Sequence, residues 1–132
     1  MADEPVNLAR ALDSIDDFWN PRIATTASGR DLRVVKVKGE FVWHRHDADE
    51  LFVVVEGELE IALREPEGER VVRLGAMDAF TVREGVEHRP SSPEGASILL
   101  FEPTGLLSTG DYTGEVPEHI TATTGAPIES TP

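Results

Sequence analysis

Four side chains able to bind a metal, His44, His46, Glu50 and His88, fall in two short stretches of the chain. There is no cysteine, so thiolate ligation, a thiol nucleophile and a disulfide framework are all excluded. Three imidazoles and one carboxylate suit a divalent transition metal such as Fe, Mn, Ni, Zn, Co or Cu. They do not make the all-oxygen site that Ca or Mg prefers. On a strand, residues two apart share a face, so His44 and His46 point the same way. Glu50 follows a short polar turn, Asp47-Ala48-Asp49, and alternation then places Glu50, Phe52 and Val54 on one face. Glu50 is the candidate for acid–base work, and Phe52 and Val54 are candidate apolar walls against a substrate. His88 comes after a glycine turn in Arg83-Glu84-Gly85-Val86-Glu87-His88. Spacing alone leaves open the alternative of solvent-facing histidines on polar turns. His119 lies in a Thr-rich stretch and is expected to take no part. Trp43, Arg45, Glu60 and Arg64 fall on the opposite parity, and Arg89 is expected in a structural ion pair.

These residues need strands to converge them. Leu32–Val37, Phe41–His46, Leu51–Val55, Leu59–Arg64, Arg70–Leu74, Ala79–Val82 and Ser97–Phe101 each read as a short strand, rich in β-branched or alternating residues. Lys38-Gly39, Glu56-Gly57, Pro66-Glu67-Gly68 and Gly75 supply the turns between them. Such a series, without crossover helices, predicts an all-β sandwich or barrel. Ahead of it, Asn7 to Trp19 reads as one amphipathic helix, with Leu8, Leu12, Ile15 and Trp19 forming a stripe. After Pro103 the apolar periodicity stops. The expected organisation is a helix and linker over 1–22, a barrel over 23–108, and a polar tail or arm over 109–132.

Composition narrows the partners. The chain has 132 residues, 25 acidic against 12 basic, and a net charge of −13. Such a surface repels nucleic-acid phosphates and anionic membranes. No apolar run approaches the ~18 residues of a membrane span. The N-terminal sequence lacks the basic and apolar regions of a secretory signal, so a cytoplasmic location is expected. A homodimer is also expected, because a small barrel leaves sheet edges that a second copy can cover.

Gly39-x4-His44-x-His46-x3-Glu50-x6-Gly57 resembles the first cupin motif, and Gly75…Gly85-x2-His88 resembles the second. The stretch between them, Glu58 to Leu74, has the short length of compact bacterial cupins. Arg83 stands where the second motif usually has proline, and Arg89-Pro90-Ser91-Ser92 lacks the family's later asparagine. The resemblance covers about Leu32 to Phe101. It implies a small single-domain cupin: a double-stranded β-helix, or jelly-roll barrel, holding one metal through His44, His46, Glu50 and His88. It also implies a metal-dependent enzyme acting on a small chelating organic molecule, of oxygenase, isomerase or lyase type, with dioxygenase-like chemistry ranked first. The alternative is a non-catalytic module that binds metal and metabolite.

Overall fold

The structure is a computed structural model that describes residues 4–128. Its one helix, α1 (Leu8–Asp13), is capped by Asn7, whose side-chain oxygen accepts from the Arg10 amide at 2.9 Å. Strands follow in chain order: β1 (Arg22–Ala27), β2 (Arg30–Glu40), β3 (Glu50–Gly57), β4 (Leu59–Glu65), β5 (Gly68–Leu74), β6 (Ala79–Val82), β7 (Glu87–Pro103) and β8 (Ala126–Pro127). The all-β cupin barrel expected from the motifs is the fold observed.

β7 organises the barrel. Its first half pairs with β4, its second half with β3, and β2 runs along both. The switch occurs at Pro93-Glu94-Gly95, between the two paired segments. There the backbone passes so close to Gly57 (φ +88°) that a Cβ would meet the Gly95 carbonyl at 2.5 Å, so only glycine fits. The path β5-β4-β7-β2-β1-β8 is completed by β3, which also pairs with β6.

Period-two alternation explains the interior. Phe52 and Val54 of β3, Leu59, Ile61 and Leu63 of β4, and Ile98 and Leu100 of β7 are buried inward. On β2, Val35 belongs to this interior while its neighbour Val34 faces the other side, where it is also fully buried. Ala11, Leu12 and Ile15 cover that outer face, which is why both parities are apolar here.

The helix is shorter than its stripe suggests. It ends at Ser14, before Asp16 and Asp17, whose charges would oppose the helix dipole. Asp17 instead accepts from the Asn20 amide at 2.8 Å and pairs with Arg22. Trp19 then leaves in the left-handed region (φ +56°) and enters the barrel, its indole donating to the Lys38 carbonyl at 2.7 Å. Phe41–His46 is not a strand: its ladder pairing is limited to one isolated bridge, His44 to His88. β1 carries the polar run Arg-Ile-Ala-Thr-Thr-Ala and had no apolar alternation to reveal it. The Thr-rich arm lies on the barrel, with Ile120 buried and β8 pairing in parallel with β1. None of the described helices is long and apolar enough to cross a membrane.

Candidate metal centre

The segment between β2 and β3 carries two of the four candidate ligands without regular strand pairing. Its backbone is held at fixed points instead. The Phe41 amide donates to the Pro90 carbonyl, His44 and His88 exchange two backbone hydrogen bonds at 3.0 and 2.8 Å, and the Gly85 amide donates to the His46 carbonyl. From Val42 to His46 the burial alternates, so His44 and His46 turn inward while Arg45 is exposed. Glu50 is the first residue of β3 and His88 the second of β7.

All four side chains are buried, and one ligand atom from each lies within 4.8 Å of the others. Glu50 Oε1 stands 3.2 Å from His88 Nε2 and 3.5 Å from His46 Nε2. His44 Nδ1 is 2.8 Å from the Val42 carbonyl and His88 Nδ1 is 2.9 Å from that of Val86. A carbonyl only accepts, so both Nδ1 atoms carry the hydrogen and both Nε2 atoms keep a lone pair for the site. Neither ring nitrogen of buried His46 has a hydrogen-bond partner. An orphaned buried polar atom is costly, and a cation bound at Nε2 would relieve that cost. The donor set therefore fits one divalent transition metal, which His44, His46, Glu50 and His88 could hold together.

Burial sets the protonation of the cluster. Loss of solvent, then the neighbouring imidazoles, pushes His44 down to about 3, and burial brings His46 down to about 4 and lowers His88. The rings are thus neutral and available at neutral pH. Burial pushes Glu50 up to about 7, and burial together with the charge of Glu50 pushes its neighbour Glu102 up to about 10.

Arg83, the departure in the second motif, does not displace His88. Its guanidinium pairs with Asp49 at 3.3 Å, and Asp49 also accepts from the Glu84 amide at 2.8 Å, which ties the His88 loop beside Glu50. Phe52 packs edge-on to His88, with ring centroids 6.2 Å apart, and lines a narrow cavity of about 30 Å³. Val54 shares that strand face and is fully buried, but it is not among the residues lining the cavity. Trp19, Phe41, His44, Glu50 and Ser108 complete much of the wall. The residues around Ser108 strap the site, and Asp111 accepts from both the amide and the guanidinium of Arg45.

Residues of opposite parity stand outside. Trp43 lies under the Arg64 guanidinium at 3.8 Å, and Arg89 pairs with Glu40. His119 reaches the Glu40 carbonyl at 2.7 Å, far from any ligand role. Sequence reasoning missed the buried charges Asp31, Arg33 and Glu102, which all sit at the edge of the barrel interior. Their signal was parity: Asp31 and Arg33 alternate with Val35 and Val37, and Glu102 with Ile98 and Leu100.

Comparison with known proteins places this geometry. The family described as "Cupin domain" matches residues 32–101. A cupin-2 domain protein of Shewanella frigidimarina is 36% identical, with a TM-score of 0.69, over 74% of this chain and 93% of that one. A Neisseria meningitidis protein is 30% identical, with a TM-score of 0.68, over 76% of this chain and 99% of its own. The Bacillus subtilis (strain 168) protein YdbB is 40% identical over 62 residues, so the match spans 46% of this chain and 52% of YdbB. Hydroquinone 1,2-dioxygenase of Sphingomonas sp. TTNP3, solved with 4-nitrophenol, shares the fold at 21% identity and a TM-score of 0.68, over 76% of this chain and 32% of its own.

Proposed function

The chain belongs to the cupin domain family, and from that premise we propose that it is a metal-dependent enzyme acting on a small chelating organic molecule. The observation that carries the reading is the buried set of three imidazoles and one carboxylate at the wall of an apolar cavity. Four protein ligands leave roughly two of six octahedral positions for a substrate with two adjacent oxygens. A divalent metal so held supplies Lewis acidity, and a redox-active one supplies oxygen chemistry. Dioxygenase-like turnover ranks first among oxygenase, isomerase and lyase reactions, and the fold shared with a hydroquinone 1,2-dioxygenase supports that order.

The protein's own groups have distinct parts in this proposal. His44 and His88, each oriented by a backbone carbonyl, turn their Nε2 lone pairs towards the metal position. Phe52, with Val54 buried behind it, excludes water and packs against the apolar part of the substrate. Glu50, shifting between ligation and proton transfer, accepts or returns a proton at its carboxylate. We also propose a cytoplasmic homodimer, with the exposed edge strand β5 and its Val71 as one surface for a second copy.

The test is a panel of diketones, enediols and hydroxy ketones with protein loaded with Fe(II), Mn(II), Ni(II) or Zn(II), followed by product analysis and dioxygen uptake. Turnover dependent on both metal and Glu50 is expected. A ligand-dependent melting shift without turnover on any substrate would instead favour the non-catalytic binding module.

A further inference from the structure

Three acidic side chains meet inside the barrel, one from each of three adjacent strands. The β2–β7 register pairs Asp31 with Glu102. The β3–β7 register pairs Phe52 with Leu100 and Leu51 with Phe101, and one step further it sets Glu50 across from Glu102. Glu102 thus stands between Asp31 and the candidate ligand Glu50, and side chains directly opposite on one sheet face have Cβ atoms only ~5 Å apart. All three are buried, Asp31 at 0%, Glu102 at 1% and Glu50 at 5% exposure. Three charges of one sign so placed would repel, and two features prevent it. Arg33 is the first: its Nε and Nη2 donate to Asp31 Oδ2 at 3.0 and 2.9 Å, and Nη1 lies 3.3 Å from Glu102 Oε1. The second is a hydrogen bond between the side chains of Glu102 and Glu50. Two carboxyl groups bond only through a hydrogen that one of them carries. Asp31 already balances the charge of Arg33, and a metal ligand must offer a lone pair, so Glu102 is the donor and Glu50 the acceptor.

Glu102 is itself held in place. Arg33 Nη1 also donates to the Leu106 carbonyl at 3.1 Å, the Thr104 hydroxyl donates to Asp31 Oδ1 at 2.7 Å, and a Cβ on Gly125 would come within 3.3 Å of the guanidinium. At the other end of the hydrogen bond, Glu50 Oε1 is turned to the imidazoles, 3.2 Å from His88 Nε2 and 3.5 Å from His46 Nε2. We propose that Glu102 is a positioning residue of the metal centre: its hydrogen bond holds the Glu50 carboxylate so that one oxygen faces the metal position and the other cannot turn in beside it. The consequence is chemical. A carboxylate free to rotate can grip a metal with both oxygens and so fill a position that a chelating substrate needs. Partners of metal ligands commonly set ligand orientation in this way, and here the chain of contacts runs from Thr104 and Leu106 through Arg33 to Glu50. The inference deepens the proposed function and rests on it for the presence of the metal.

The experiment compares the full wild-type chain, Glu102→Gln and Glu102→Leu, each loaded with cobalt(II) or zinc. Glutamine keeps an N–H donor for Glu50 and a carbonyl for Arg33, whereas leucine keeps only bulk. Glu102→Leu should bind zinc about tenfold more weakly, and Glu102→Gln should stay within about threefold of wild type. Affinity alone would also fall in a loosened fold, so the deciding readout is the visible spectrum at saturating cobalt. It should change in position and intensity in Glu102→Leu and keep the wild-type form in Glu102→Gln. A wild-type spectrum in Glu102→Leu, or a glutamine variant that behaves like the leucine one, overturns the proposal. Should the leucine variant not fold, infrared difference spectra of the wild-type chain on adding zinc decide. The Glu50 carboxylate stretches, assigned by their loss in Glu50→Gln, should show the wide separation of one-oxygen ligation, and the narrow separation of two-oxygen ligation rejects the role. A wild-type chain that binds neither cobalt nor zinc sinks the metal reading and this role together, whereas metal bound without regard to Glu102 sinks this role alone.

Discussion

Lowering the pH should cost this centre far less metal affinity than three histidines would normally cost. Ordinary imidazoles titrate near ~6.5 and compete with metal for the same lone pair. Here burial holds His44 at about 3 and His46 at about 4, so these two rings carry no competing proton at mildly acid pH, and burial lowers His88 as well. The competing proton sits on Glu50, raised to about 7. Below that value a metal must displace one proton, so affinity falls about tenfold per pH unit, and above it affinity is flat. From about pH 8 to about pH 5 the Glu50 proton then costs roughly 100-fold, whereas three unperturbed imidazoles would lose more than about 10,000-fold. Proton counting is sharper still. At about pH 6, zinc binding should release about 0.9 proton from Glu50, against about 2.3 from three ordinary histidines. The assay is zinc calorimetry in buffers of differing ionisation enthalpy, repeated with Glu50→Gln, which should release close to none. Release of two or more protons by the wild-type chain at that pH would show that the imidazoles are solvated and the reasoning wrong.

Three further outcomes are expected. Metal content measured by elemental analysis should fall sharply in His46→Ala and vanish in His44→Ala/His46→Ala, yet stay at the wild-type value in His119→Ala, whose ring meets only the Glu40 carbonyl. Gly110 sits at φ +55° with the Arg45 carbonyl 2.3 Å from where a Cβ would lie and His44 Cδ2 at 3.1 Å. Gly110→Ala should therefore destabilise the fold by about 1–3 kcal/mol in denaturant titration and weaken zinc binding by displacing the strap. Light scattering at micromolar concentration should report about twice the 14.4 kDa of one chain, and the single-chain mass would rule out the dimer.

Much of the barrel and the convergence of the four candidate ligands were legible in the sequence because they rest on local rules. Alternation with period two marked β3, β4 and β6 nearly to the residue, and it predicted that Glu50 shares a face with Phe52 and Val54. The histidine pair separated by one residue carries its own geometry, since any extended segment turns both rings the same way. That is why His44 and His46 converge even though their segment forms no strand. Where long-range pairing decides, sequence was silent. β1 exists because β2 and β8 supply its hydrogen bonds, not because its Thr-rich run favours a core. Helix α1 ends early because the tertiary fold draws Trp19 into the barrel, where burial and the Lys38 carbonyl outweigh a fourth position on the stripe. Charge-bearing residues gave the deepest divergence. Asp31, Arg33 and Glu102 look like solvated side chains one at a time, and strands far apart in sequence must meet before each finds a partner that makes burial tolerable. The ligand types were fixed by chemistry written along the chain, whereas the charge around them, and with it the titration of the site, arose only when β2 and β7 paired.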